Sequence, residues 1–107
     1  VVSSMIWGSQ YDAMMNWMAK NGKNVGNSNS SIYNNTTTTG NKSTDVVNNV
    51  YDLYGCHCEW TLEASDSYCR ARRGGRSGYD FSPANRSDHS PDGTGIYVSS
   101  RATLYIK

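Results

Sequence analysis

Five residue types are missing from one long segment of this sequence. Between Ala64 and Ser100 there is no Lys, Glu, Gln, Trp or Met, whereas the rest of the chain contains fourteen residues of these types. With the composition of the rest, a segment of this length would lack all five roughly once in a few thousand trials. These are the amino acids whose codons never end in a pyrimidine, so the absence indicates codons with a pyrimidine at the third base. The alternative is a loop-rich segment of small polar residues.

An excess of charge of one sign and long apolar runs are also lacking. Ten basic and nine acidic residues give a formal net charge of +1, so no charged surface favours nucleic acid or an anionic membrane. No apolar run approaches the ~20 residues of a membrane-spanning helix. We therefore expect no nucleic-acid partner and no membrane insertion, and a partner that is recognised by shape and hydrogen bonds.

Cysteine is scarce and odd in number. Cys56, Cys58 and Cys69 are the three cysteines, and neither their count nor their spacing fits a disulfide framework or a structural zinc site. The run Cys56-His57-Cys58 contains soft metal donors, but no second pair of ligands follows at a suitable spacing. We predict no metal and no cofactor.

One helix is predicted near the start of the chain, from Ser9 to Asn21. Ser9 and Asp12 resemble a capping box, and Asn21 with Gly22 predicts a left-handed end. Apolar side chains at i, i+3, i+4 and i+7 fall on one face of this helix and are expected in the core: Tyr11, Met14, Met15 and Met18.

The chain is predicted to be a single domain, residues 1–107, of the α+β class. Residues 24–49 are rich in Asn, Ser and Thr and are expected to form a polar surface loop. Short apolar stretches between Gly- and Pro-containing turns predict strands. These stretches are Tyr51 to Tyr54, Glu59 to Leu62, Tyr68 to Ala71, Ile96 to Val98 and Thr103 to Ile106.

Four short motifs carry a resemblance to a known family. They are Tyr51-Asp52-Leu53-Tyr54-Gly55, Glu59-Trp60-Thr61, Arg73-Gly74-Gly75 and Ser100-Arg101-Ala102. Their order and spacing resemble the formylglycine-generating-enzyme, or sulfatase-modifying-factor, branch of the C-type lectin fold, with its pattern D-L-x-G-N-x-x-E-W-T, R-G-G-S and G-x-R. The resemblance implies a C-type lectin-like fold with few short strands, one main helix and much irregular loop.

The sequence departs from that family's pattern in several places. Cys56 stands where the family has Asn, and Arg76 stands where it has Ser. The family's opening strand and first helix are missing from the pattern, which predicts a domain without the family's N-terminal part. The enzymes of the branch use two cysteines after the Arg-Gly-Gly motif, and none follows Cys69 here. We therefore predict that the chain is not an enzyme.

The chain is more similar to the variable proteins of diversity-generating retroelements, which use the same scaffold without catalysis. In those systems a reverse transcriptase copies a template with errors at adenines, so AAY codons become codons with any first and second base. The set of amino acids that such codons encode, here called the restricted alphabet, matches the composition of residues 64–100. Cys56, His57 and Cys58 are one or two adenine changes from Asn or Tyr codons, so the predicted variable ligand-binding region is 56–100.

The resemblance implies a hypervariable ligand-binding domain for display and receptor recognition. Its partner would be a protein or glycan on a target cell or virion surface, and the domain itself would lie on a virion or on an extracellular bacterial or phage surface. One alternative is a fixed structural or adhesin module of a phage tail or cell surface. An oxidase of the formylglycine-generating type is the least supported alternative.

The predicted contact residues lie in the variable region, with the rigid aromatic rings of Tyr79, Phe81 and Tyr97 as anchors. Ser, Gly and Asp around them supply adaptable hydrogen bonds. The predicted ligand-binding residues are Cys56, His57, Cys58, Ser65, Asp66, Ala71, Arg76, Ser77, Tyr79, Asp80, Phe81, Ser87, Asp88, His89, Ile96, Tyr97 and Val98.

Other residues of the motifs are predicted to be structural. Arg73 and Arg101 are expected to anchor loop carbonyls or carboxylates through their planar guanidinium groups. Glu59 is expected to bond backbone amides, although in some family members this Glu helps to bind calcium. The remaining residues expected in the core or in turns are Trp60, Leu62, Gly74, Gly75, Leu104 and Ile106.

Overall fold

The computed structural model describes residues 1–21, 46–47, 49–51, 53, 57–75 and 84–106, and these form an α+β arrangement, as predicted. The elements in chain order are β1 (Val2–Met5), α1 (Gly8–Lys20), β2 (Val46–Val47), β3 (Val50–Tyr51), β4 (Cys58–Ala64), β5 (Arg70–Arg73), β6 (Arg86–His89), β7 (Val98–Ser100) and β8 (Ala102–Tyr105).

Helix α1 begins one residue earlier than predicted. Trp7 is its N-cap residue, and its backbone N–H donates to Oε1 of Gln10 at 2.8 Å. Gln10 therefore performs the reciprocal half of a capping box. The predicted box at Ser9 and Asp12 is wrong because the chain has already entered the helix at Gly8.

The end of α1 is closed by Asn21 without a left-handed residue at that position. The backbone N–H of Asn21 donates to the carbonyls of Trp17 and Met18, and its side-chain amide donates to the carbonyl of Trp17 at 2.8 Å. Asn21 has a φ of −94°. The amide side chain thus gives the Trp17 carbonyl a second donor at the end of the helix. Gly22 lies outside the described residues.

The predicted apolar stripe of α1 is confirmed as the centre of the core. Tyr11 and Met18 are fully enclosed, and Trp17 flanks the stripe partly exposed. Among the described residues, no helix is long and apolar enough to cross a membrane. The core cluster consists of Ile6, Tyr11, Met15, Met18 and Leu53, with Met14 and Val50 packed against it.

The larger sheet has four strands in the order β6-β5-β4-β7. Strands β4 and β7 are parallel, and the other neighbours are antiparallel. The register between β4 and β5 shifts between Trp60 and Ala64, which indicates a bulge in β4. A separate ribbon pairs β1 with β8, with Val2 opposite Tyr105 and Met5 opposite Ala102.

Three strands were not predicted from the sequence. Strand β1 precedes the helix, although the motif pattern predicted no opening strand, β6 contains no apolar residue in its Arg-Ser-Asp-His sequence, and β2 falls in the predicted polar loop. Strand β1 lies beside β8, which is distant in sequence, and β6 lies beside β5, the strand that precedes it. Pairing with an existing strand outweighs weak local propensity, because strand preference depends mainly on the neighbours.

The prediction that Leu104 and Ile106 are core residues is wrong. Leu104 is 72% exposed and Ile106 is 91% exposed. Side chains alternate along a strand, and in β8 the covered position belongs to Thr103, whose Oγ1 donates to the carbonyl of Ser4 at 3.1 Å. Trp60 and Leu62 are half-buried.

Part of the predicted polar loop is a hairpin. Strands β2 and β3 pair with Val47 opposite Val50, and the intervening Asn49 has a φ of 68°. Asn tolerates this left-handed conformation better than most residues, which suits a tight turn. Residues 24–45 of the predicted loop lie outside the described residues.

Gly74 and Gly75 are both buried, consistent with the structural role predicted for them. Gly74 has a φ of 87°, and a Cβ atom there would lie 2.8 Å from the hydroxyl oxygen of Tyr11. The left-handed backbone and the close approach both require glycine. Its N–H donates to the carbonyl of Asn85 at 3.1 Å, which fixes the path of the chain after β5.

Candidate functional site

The four-stranded sheet has two chemically different faces. Residues directly opposite each other on neighbouring strands point to the same side of a sheet. One row across the strands therefore joins Arg86, Arg73, Glu59 and Ser99, and the next row joins Ser87, Arg72, Trp60 and Ser100. The first row lies on the side of α1 and defines the inner face. The second row lies on the outer face and is called the outer row below.

The inner face contains a buried ion pair between β4 and the residue after β7. Arg101 donates to Glu59 from Nε at 3.0 Å and from Nη2 at 2.6 Å, and Nη2 also donates to the carbonyl of Tyr51 at 2.8 Å. The predicted anchoring role of Arg101 is confirmed. Glu59 does not follow its prediction, because its two oxygens accept from the guanidinium instead of backbone amides. That positive charge opposes a calcium ion at the same carboxylate.

Arg73 links the same face to the helix. Its Nη2 donates to Oδ1 of Asp12 at 2.5 Å, and its guanidinium carbon lies 4.9 Å from the ring centroid of Tyr11. The predicted anchoring by Arg73 is therefore confirmed, with a carboxylate on α1 as its partner. Burial raises the pKa of the Tyr11 hydroxyl far above its usual range, so the ring remains neutral beside Arg73.

Glu63 of β4 lies beside the first residue of α1 and is held by Arg86. Oε1 accepts from Nε of Arg86 at 2.8 Å and from Nη2 at 2.7 Å, and this pairing raises the pKa of Arg86. Oε2 lies 3.9 Å from Nη1 of Arg73. A Cβ atom at Gly8 would collide with the Glu63 carboxylate. Glycine there lets a negative charge approach the N-terminus of the helix, where it is favourable.

The outer face presents an aromatic and cationic group of side chains. The guanidinium carbon of Arg72 lies 5.6 Å from the ring centroid of Trp60. On the other side, Trp60 meets the ring of His89 edge to face, with centroids 6.2 Å apart. Arg72 and Trp60 are half-buried and His89 is exposed. This arrangement offers a rigid aromatic surface with a fixed positive charge.

The loop between β6 and β7 extends this surface. The N–H of Gly93 donates to the carbonyl of Ser90 at 2.9 Å, and the Ser90 hydroxyl donates to Asp92. Cys58 of β4 donates its N–H to the carbonyl of Tyr97 at 2.9 Å, which attaches the loop to the sheet. Ile96 nevertheless keeps 78% of its surface exposed. An exposed apolar side chain on an anchored loop suits contact with a partner.

The turn between β4 and β5 is organised by Asp66. Its Oδ1 accepts from the backbone N–H groups of Tyr68 at 2.7 Å and Cys69 at 2.6 Å. These hydrogen bonds hold the pKa of Asp66 below its ordinary value. Burial, followed by the negative charge of Asp66, raises the pKa of the Cys69 thiol. Asp66 thus fixes the turn and adds to the effect of burial, which raises the pKa of the Cys69 thiol.

One group of side chains in the described residues could surround a cation. Ligand atoms of Asp66, Cys69 and Asp88 lie within 4.8 Å of one another. Oδ1 of Asp66 already accepts two backbone hydrogen bonds, and the Cys69 thiol resists the deprotonation that ligation requires. Cys69 is a free thiol.

The structure places the predicted ligand-binding residues in several groups. Asp66, Asp88, His89, Ile96 and Tyr97 are exposed. Ser87 and His89 of β6 lie on the outer face, and the loop that carries Ile96 and Tyr97 is attached to β4, which is separated from β6 by β5. Residues that are partly exposed are His57, Ser65, Ser87 and Val98. Those outside the described residues are Cys56, Arg76, Ser77, Tyr79, Asp80 and Phe81, which include two of the three predicted anchors.

Two of the predicted residues are enclosed by the protein. Cys58 is 5% exposed and Ala71 is fully buried. Ala71 lies in β5, and its carbonyl accepts from the hydroxyl of the buried Thr61 at 2.9 Å. A side chain that is covered on all sides does not touch a ligand in this conformation, so neither residue belongs to the contact surface.

Sequence reasoning overlooked the centre of the outer face. Trp60 was assigned to the core and Arg72 received no role, although the structure stacks them in the middle of the sheet. The signal was the alternation Arg70-Ala71-Arg72, because period-2 alternation around a small residue is typical of a strand with one exposed face. The predicted strand, Tyr68 to Ala71, ended one residue before Arg72, whereas β5 runs from Arg70 to Arg73.

A scan of protein-family models and searches of curated proteins and of solved structures found no match to this chain. The fold family and the function are therefore proposed from the residues themselves.

Proposed function

We propose that this chain is a hypervariable ligand-binding domain for display and receptor recognition, diversified by adenine-directed mutagenesis on a C-type lectin-like scaffold of the formylglycine-generating-enzyme branch. The observation that carries the proposal is the absence of five residue types between Ala64 and Ser100. Copying errors at adenines in AAY codons produce a segment without these five residue types, whereas nothing in a fixed structural module excludes them.

The position of the core supports this proposal. All five residues of the core cluster lie outside residues 64–100, in α1, beside it or before β4. The segment with the restricted alphabet contributes β5, β6, β7 and the turns between them. Changes in that segment therefore leave the main apolar contacts intact, which is the property that a diversified surface needs.

The exposed side chains of the segment supply varied binding chemistry. Ile96 and Tyr97 offer apolar and aromatic contact, Asp88 offers a carboxylate and His89 an imidazole. A few large side chains surrounded by small polar residues are characteristic of surfaces that bind by recombining contacts, as antibody loops do. The partner we propose is a protein or glycan on a target cell or virion, and the domain lies on a phage particle or bacterial surface.

The chemistry of the chain favours binding over catalysis. The oxidases of the resembled branch use cysteines after the Arg-Gly-Gly motif, and the sequence has none beyond Cys69. The inner-face charges are engaged with one another, as in Glu59 with Arg101 and Arg73 with Asp12. Groups held in ion pairs position strands and loops, and we assign them that role.

The test is DNA sequencing of the gene and several kilobases around it. The expected result is a near-copy of the codons for residues 56–100, beside a reverse transcriptase gene, that differs from them only where the copy carries adenine. The mismatches would then identify the diversified residues directly. If the region holds no such copy, the proposal fails and a fixed structural or adhesin module becomes the better account.

A further inference from the structure

The outer row has an arginine at its centre that lacks an anionic partner. Nε of Arg72 is buried and has no hydrogen-bond partner, and among the described residues the guanidinium donates no hydrogen bond and forms no ion pair. Its guanidinium carbon lies over the ring of Trp60, 5.6 Å from the ring centroid. A half-buried cation therefore faces the outer side of the sheet with its donors unused.

The other described arginines have different surroundings. Arg73 pairs with Asp12, Arg86 with Glu63 and Arg101 with Glu59. Arg70 donates from Nη1 to the carbonyl of Cys69 at 3.0 Å. Arg72 is thus the exception among the arginines in the described part of the chain, in a protein whose acidic and basic residues nearly balance.

An unsatisfied guanidinium is unfavourable when it is partly removed from water, because its lost hydration is not replaced. The contact with Trp60 offsets part of this cost and fixes the orientation of the group. Nε is the one guanidinium nitrogen of Arg72 that is buried without a partner, so Nη1 and Nη2 remain available as donors. This geometry suits a carboxylate, which accepts two parallel hydrogen bonds from an arginine.

We propose that Arg72, held against Trp60, binds the carboxylate of an Asp or Glu side chain on a partner protein. This inference rests on the proposed function. Arg72 lies inside the segment with the restricted alphabet and is a contact of this particular chain, whereas Trp60 lies outside that segment, so diversification of residues 64–100 does not remove the ring.

The surroundings of Arg72 favour a protein as the occupant. Ser87 and Ser100 end the outer row on either side, so small hydroxyl-bearing residues flank the Arg72 and Trp60 pair. Four adjacent strands give this row a span of about 14 Å. A flat surface with a central Trp and Arg and a small polar margin has the composition of an interface hot spot.

The test is selection of a random peptide library, displayed on yeast, against the 107-residue protein. Peptides selected by the wild type are expected to share an Asp or Glu at one position. Binding of the best such peptide is then measured by calorimetry. Arg72→Gln is expected to weaken it about ten- to hundredfold, and Arg72→Lys to weaken it less because the charge remains without the planar fork.

Lys20→Gln is the matched control, because it removes one positive charge from the exposed end of α1, away from the outer face. It is expected to leave peptide binding unchanged. Circular dichroism of each variant establishes that it is folded, and if Arg72→Gln does not fold, Arg72→Lys and Trp60→Phe supply the comparison. Trp60→Phe keeps a ring but weakens the cation contact, so binding should fall.

Several results would overturn the proposal. They are selected peptides without a shared acidic position, an affinity that Arg72→Gln leaves unchanged, no selected peptides at all, and binding of a sialylated or sulphated glycan from an array in place of peptides. These outcomes differ from failure of the proposed function, which the gene sequence decides independently. If the gene region contains the template copy but peptide binding does not depend on an acidic residue, the proposed diversification stands and only the role of Arg72 is refuted.

Discussion

Asp66 has a structural role although it lies in the segment with the restricted alphabet. Its carboxylate caps two backbone N–H groups in the turn between β4 and β5. The sequence predicted Asp66 as a contact residue, and exposure is compatible with that role. The sequence analysis did not assign these hydrogen bonds, although an Asp in a turn commonly accepts from the backbone N–H two residues further on, as it does here from Tyr68.

Asp66 is expected to make stability depend on pH in the acid range. Its pKa in the folded protein lies below its ordinary value of 3.8. The stabilisation is therefore fully present above that pH and is lost as the pH falls through the lower, folded-state pKa. Asp66→Asn keeps the acceptor oxygen and does not titrate, so urea unfolding between about pH 4 and 2 should show a shallower loss of stability. Equal slopes for both proteins would contradict this explanation.

Gly74 is expected to be intolerant of a side chain. Gly74→Ala places a methyl group in a left-handed conformation and against the Tyr11 hydroxyl, and we expect a loss of about 2 kcal/mol in the free energy of unfolding. Gly95→Ala is the control, since its Cβ would meet only Val98 Cγ2 at 3.6 Å. Urea denaturation of both variants gives the comparison. Similar losses at the two positions would refute the special requirement at Gly74.

At the scale of elements, local patterns and distant pairings differ in what the sequence reveals. Helix α1 was predicted to within a residue at each end because its apolar spacing lies in one continuous stretch. Strand β1 was missed because its partner, β8, lies far away in sequence, and β6 was missed because none of its residues is apolar. The pairing of β4 with β5 also shifts between Trp60 and Ala64, an irregularity that no local pattern reveals.

The ion pair that joins β4 to the residue after β7 should be important for stability. Arg101→Met leaves the Glu59 carboxylate buried without a counter-charge, and we expect a loss of about 3 kcal/mol in the free energy of unfolding. Arg86→Met breaks a more exposed pair with Glu63 and should cost much less. Chemical denaturation measures both. A loss for Arg86→Met as large as that for Arg101→Met would mean that burial does not determine the effect.

In the whole molecule, two parts of the chain make different contributions to the structure. Residues before β4 form the core cluster, and residues 64–100 contribute three strands of the sheet and the exposed turns. The composition of the segment could be read from the sequence, but the direction of each side chain could not. Cys58 and Ala71 illustrate the difference, because both fall in the predicted region and both are buried.

Substitutions on the exposed side of the segment should leave stability unchanged. Ile96→Ser is expected to change the free energy of unfolding by no more than about 0.5 kcal/mol, because the side chain lies largely in solvent. Met18→Ala in the core is expected to cost about 2–5 kcal/mol. Thermal and urea unfolding provide the measurement. If Ile96→Ser is as destabilising as Met18→Ala, the exposed side chains of the segment contribute to stability as core residues do, and this explanation is wrong.

The β1–β8 ribbon has a mechanical consequence. Because Val2 lies opposite Tyr105, both strands reach the same end of the ribbon at their outer residues. A force that pulls Val2 and Tyr105 apart acts across the strands. It therefore breaks the interstrand hydrogen bonds one after another, and the ribbon opens at low force. The four-stranded sheet is not in that line of pull, so a domain pulled at Val2 and Tyr105 would lose the β1–β8 ribbon first and keep the four-stranded sheet assembled.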